Sequence, residues 1–120
     1  MTLPPTAADT LGPTRHPERE ASLEARLDAL IALSTERLNA ARAGDWERVQ
    51  AGEPERAALI RAAFPEPLSE TLPEPLAERL QTFLDLDRQL LEQARRRLDA
   101  LRQERLDLRH ARKAARHYQG

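Results

Sequence analysis

Leu38-Asn39-Ala40-Ala41-Arg42-Ala43-Gly44-Asp45-Trp46-Glu47 is a helical run, a stop and a restart with no room for a loop. Gly44 takes a left-handed backbone at no steric cost, and many helices end in that conformation. Asp45 follows at once and suits the N-cap of a second helix, with Trp46 and Glu47 in its first turn. A connection of one or two residues forces two helices into an antiparallel hairpin. Gly44, Asp45 and Trp46 are therefore structural, with Trp46 expected to close the corner over Leu38 or Ala41.

Upstream of the corner, Leu23, Leu27, Leu30, Ile31, Ser34, Leu38 and Ala41 recur at spacings of three and four, with Leu33 at the edge of the face. They predict a first helix over about 18–43 with one core-facing stripe. Downstream, a second helix is expected over about 46–64, but Gly52-Glu53-Pro54 stands in its middle. Pro54 would clash with the carbonyl of Gln50, so a kink is expected, or a restart with Pro54 in a first turn. Prolines 65, 67, 73 and 75 make the next stretch an extended connector, pinned to the bundle by Leu68 and Leu72. A third helix starts near Glu74 or Pro75, and nothing stops it before Gln119. Its apolar residues from Leu76 to Leu101 cover an arc of about 160°. That is wider than one partner helix needs.

Composition agrees with an all-α chain. Of 120 residues, 20 are Leu and 20 are Ala, against one Val and two Ile. Strands require the β-branched and aromatic residues that are scarce here. The expected architecture is an antiparallel three-helix bundle with a long C-terminal helix, or with a fourth helix that folds back. Residues 1–17 read as a disordered leader without the apolar core of a secretory signal, 18–97 as the bundle, and 98–120 as a basic C-terminal regulatory helix. At ~1.5 Å per residue the third helix would outrun the first by more than 20 Å. Its last third, with Leu98, Leu101, Leu106 and Leu108, must fold back, pair with another chain or stand exposed.

Charge is divided along the chain. Residues 1–93 carry 10 basic and 17 acidic side chains, and residues 94–120 carry 9 basic and 3 acidic. The chain has no Cys, which removes disulfides, thiolate metal sites and cysteine nucleophiles together. No phosphate-cradling glycine loop is present, and Ser22, Ser34 and Ser69 lack a nucleophile motif. His110 and His117 are two helical turns apart, ~10 Å, too far to share a metal. Asp87 intrudes on the apolar face of the third helix and calls for an arginine partner. No catalytic constellation emerges, so no enzyme activity and no cofactor is expected. The basic tail raises nucleic acid as a partner. Asp99, Glu104 and Asp107 interrupt it, however, and no stacking platform accompanies it. A charged helix facing solvent or a protein is the better reading.

Gly44-Asp45-Trp46-Glu47, with the preceding Leu38–Ala43 run and the following Glu55-Arg56-Ala57-Ala58-Leu59-Ile60-Arg61-Ala62-Ala63-Phe64, resembles the FliT-type flagellar export chaperones. Leu84-Asp85-Leu86-Asp87 and the ending Ala114-Ala115-Arg116-His117-Tyr118 add to the likeness, which covers about 23–118. Gly52 and Pro54 depart from the uninterrupted second helix that the family implies. The resemblance implies a small cytosolic chaperone of type III export that binds the amphipathic C-terminal helix of the filament-cap protein. It would keep that helix from assembling early and deliver it to the export apparatus. It further implies a regulatory last helix, with export-gate components and a flagellar transcriptional regulator as further partners.

Such binding is the helix-in-groove mode, in which apolar anchors enter a leucine-lined cleft. Leu59, Ile60 and Phe64 of the second helix, with Leu80, Phe83, Leu84 and Leu91 of the third, are the candidate partner-binding residues, about half of them ordinary core. Leu98, Leu101, Arg105, Leu108 and Arg112 are the candidates for the regulatory tail. The charge division favours a reversible cover over the acidic body; a straight tail pairing two chains is the competing arrangement. The chain is thus a monomer or a homodimer. Two other functions stay open: a chaperone of the hook–filament junction proteins, and a nucleic-acid-binding or transcription-regulating protein acting through its tail.

Overall fold

The computed structural model describes residues 17–68 and 71–119. Except for Pro17, the expected leader lies outside the described residues. Four helices follow one another: α1 (Pro17–Arg42), α2 (Trp46–Ala51), α3 (Glu53–Ala63) and α4 (Glu74–Gln119). Among the described residues there is no strand.

α1 ends as its sequence dictates. Gly44 has φ +78°, and its N–H donates to the carbonyl of Ala41 at 3.0 Å. The N–H of Asp45 donates to the carbonyl of Ala40 at 2.8 Å. This pair of bonds satisfies carbonyls that a helix end leaves orphaned. The Asp45 carboxylate then accepts from the Arg48 N–H at 3.2 Å and caps α2. Trp46 is half-buried against a cluster that includes Leu38, Ala41, Val49 and Leu90.

The interruption at Gly52 is a restart. α2 closes at Ala51, and α3 begins at Glu53 with Pro54 in its first turn, where a missing N–H costs nothing. The cause lies on α1. Arg37 is only 7% exposed, and its Nε donates to the Val49 carbonyl at 2.9 Å. Its Nη2 reaches Glu53 Oε2, also at 2.9 Å. A Cβ on Gly52 would stand 2.9 Å from Arg37 Cδ and 3.1 Å from Cγ and Nε. Glycine is there because the arginine stem fills the space.

α1 is the shared wall of the bundle. α2 and α3 return antiparallel to it, and α4 then runs in the same direction as α1. Arg79, near the start of α4, binds Asp28 at 2.9 Å and Glu24 at 2.8 Å. Further on, Arg42 at the end of α1 donates to Gln89 of α4 at 3.0 Å. Around the Arg79 contacts lies the main core, in which Leu27, Leu30, Leu76 and Phe83 are buried. Leu72 of the connector packs against it as expected. Leu68 does not: it is 51% exposed and pins nothing.

α4 does not fold back. It is one helix of 46 residues, and every described side chain from Arg95 to Tyr118 is exposed. No Gly or Pro interrupts 76–119, and breaking a helix of Ala, Leu, Arg and Gln there would forfeit several backbone bonds. The tail therefore passes the Gly44 corner and continues for ~45 Å beyond Gln89. The expected cover over the acidic body is absent from this conformation.

Two outcomes follow from this packing. Gly52→Ala should destabilise by about 1 kcal/mol, because overpacking of ~1–3 kcal/mol exceeds the ~1 kcal/mol gained in helix propensity. In an Arg37→Ala background the sign should invert, which denaturant melts of the double-mutant cycle will read. Truncation after Arg97 should shift the thermal midpoint by less than about 4 °C, since it removes no buried side chain.

Candidate partner-binding seam

The three junctions of the bundle are unequal. α1 lies close against α2, α3 and α4, whereas no Cα of α3 comes within 8 Å of one in α4. Side chains alone close the α3–α4 seam. Arg56 of α3 makes a bidentate pair with Asp87 of α4, with Nε–Oδ1 at 3.1 Å and Nη2–Oδ2 at 2.9 Å. The same guanidinium stands 5.8 Å from the centre of the Phe83 ring. Both side chains are partly exposed, at 23% and 35%, so solvent screens the pair. Asp87 thus has the arginine partner its position demanded.

The sequence candidates divide into three groups around this seam. Leu59, Ile60, Phe64 and Leu80 are half-buried and pack against the main core cluster. Phe83 is 4% exposed and belongs to that core, so it offers no free surface. Leu84 and Leu91 are open, at 44% and 51%. They stand one turn before and one turn after Asp87, on the flank of α4 that reaches α3. The open leucines therefore form a lip to either side of the Arg56–Asp87 pair, while the half-buried group packs on the main core.

The lip continues into the tail. Leu98, Leu101 and Leu108 are 46%, 42% and 59% exposed, beside the exposed Arg105 and Arg112. These leucines share one helix with the arginines, and no other described element covers them. His110 and His117 are exposed on the same helix, and among the described residues no group of acids and histidines is placed to hold a metal. No described helix is long and apolar enough to cross a membrane.

Ser34 is buried at 3% exposure on the stripe where the sequence placed it, whereas the buried Arg37, at 7%, escaped the sequence reading. Its signal was present: 27, 30, 34, 37 and 41 keep the three–four spacing, so Arg37 stands on the core stripe itself. Arg56 was also missed. It lies three residues before Leu59, and only the position of Asp87 across the seam gives it a role.

The family model described as flagellar protein FliT matches residues 24–120. No curated protein and no solved structure matches the chain. The match takes in all of α2, α3 and α4 and most of α1, including the Gly44 corner and the seam. With a match over most of its length on an all-helical bundle, the chain belongs to the FliT family, the chaperones of flagellar biogenesis and protein export.

Proposed function

We propose that the chain is a cytosolic flagellar export chaperone whose substrate is the amphipathic C-terminal helix of the filament-cap protein. The observation that carries this reading is the lip of exposed Leu84 and Leu91 beside the α3–α4 seam. An amphipathic helix brings apolar anchors at three–four spacing and gains about 1.5–3 kcal/mol for each one it buries. Leu59, Ile60, Phe64 and Leu80 supply further half-buried apolar surface, at a junction whose backbones are already apart. Holding the substrate helix there keeps it from its own assembly partners until export. The chaperone then hands it to the export apparatus, whose components are its second class of partner, met through the tail. A flagellar transcriptional regulator is a third.

The chemistry is binding alone, without catalysis and without a cofactor. A hook–filament junction protein would present the same kind of helix, and competition between the two peptides ranks them. Nucleic-acid binding through the tail differs in its salt response, because phosphate contacts weaken steeply with salt and apolar burial does not.

The test is titration of the cap protein's C-terminal helix, as a peptide, into the full chain and its variants. Leu84→Asp and Leu91→Asp should each weaken binding by about tenfold or more and leave the thermal midpoint nearly unchanged. Phe83→Asp should unfold the bundle instead. Undiminished affinity in both lip variants would refute the seam. Failure of the wild-type chain to bind either flagellar peptide would refute the chaperone reading.

A further inference from the structure

α4 carries a second pattern beyond the bundle. Leu91, Leu98, Arg105 and Arg112 recur every seven residues, and so do Ala94, Leu101, Leu108 and Ala115. These are the a and d rows of a heptad repeat. The flanking e row is arginine at every step: Arg95, Arg102, Arg109 and Arg116. Of these four, Arg102 alone has an ion pair, a loose one to Asp99 at 3.9 Å; the others have none among the described residues. All four are exposed. A straight arginine row therefore borders an open leucine seam for ~32 Å.

We infer that residues 91–116 of α4 are a docking face for an acidic amphipathic helix of a different protein. That helix places leucine-type anchors on Leu98, Leu101 and Leu108, and carboxylates along the arginine row and opposite Arg105 and Arg112. Charge complementarity carries the assignment. A second copy of α4 is the wrong partner in either orientation. Parallel pairing sets each a residue against itself, so Arg105 faces Arg105 and Arg112 faces Arg112. Antiparallel pairing sets one e row against the other, arginine against arginine. A lipid surface requires an unbroken apolar arc, and Arg105 and Arg112 stand inside the leucine rows. Nucleic acid would answer the cations and leave the three leucines uncovered. An acidic helix answers both. The inference goes beyond the cap-protein reading, because this face, apart from Leu91 at its start, lies on the tail beyond the α3–α4 seam.

Two synthetic four-heptad peptides test it with the full chain. Both have leucine at a and d except where these face Arg105 and Arg112; at those positions and at e and g one has glutamate, the other lysine. By calorimetry the glutamate peptide should bind one to one, about tenfold more weakly in ~0.3 M than in ~0.05 M salt, and the lysine peptide should not bind. The variant Arg95→Glu/Arg102→Glu/Arg109→Glu/Arg116→Glu, its helicity checked by circular dichroism, should exchange the two preferences. Leu101→Asp/Leu108→Asp should lose the glutamate peptide by tenfold or more, which separates docking from bare charge attraction. Equal binding of both peptides, or an unchanged preference in the arginine variant, would overturn the inference. So would displacement of the glutamate peptide by duplex DNA or phosphatidylglycerol vesicles at lower concentration, or a stable dimer that truncation after Arg97 abolishes.

Discussion

A guanidinium taken from water into a helical bundle costs several kcal/mol unless its donors are met. Arg37 is in that position, and the hairpin is arranged around it. Its Nε donates to the Val49 carbonyl in the last turn of α2, and its Nη2 to Glu53 at the start of α3. One side chain thus bridges the last turn of one helix and the first turn of the next. Glycine at 52 gives the stem room, and Pro54 forgoes a backbone N–H where none is needed. The break is a joint fixed by an α1 side chain, and it sets the direction in which α3 carries Leu59, Ile60 and Phe64.

That direction has a consequence for the seam. α1 satisfies α2, α3 and α4 together, so α3 and α4 need not touch through their backbones. Arg56 and Asp87 span the gap with a bidentate pair, but both remain partly in water. Exposed pairs contribute only about 0.2–1 kcal/mol, whereas the buried core residues of α1 and α4 contribute more each. The α3–α4 junction is therefore held by side chains that solvent reaches, and the proposed seam lies at its weakly paired edge.

Much of the fold was legible in the sequence because it was written in local chemistry. The Gly44-Asp45 corner, the restart at Pro54 and the start of α4 near Pro75 depend on residues acting within one or two turns. The stripe on α1 and the wide arc on α4 were equally readable. Long-range polar contacts were not. Nothing local announces that Arg37 rather than solvent fills the space beside Gly52, or that Arg56 crosses to Asp87. Leu68 reads as an anchor by type and stands exposed, because a residue in an extended connector has no periodicity to assign its side. Phe83 and Leu84 are adjacent and both apolar. Only the packing of α1 on α4 decides that Phe83 is core and Leu84 is lip.

The opposite charges of body and tail invited a fold-back, and electrostatics explains why they do not produce one. At physiological ionic strength the screening length is ~8 Å, while α4 extends ~45 Å past Gln89. Most tail cations are thus several screening lengths from the acidic body and feel little of it. Bending α4 to bring them together would cost helical hydrogen bonds without a glycine or proline to localise the loss. Exposed ion pairs return too little to offset that. The basic residues instead suit the helix they occupy: Arg116 and His117 lie in its last turn, where the helix dipole favours cations. A rigid arm that keeps its arginines exposed, and its leucines in register beside them, presents both to whatever approaches from outside the chain.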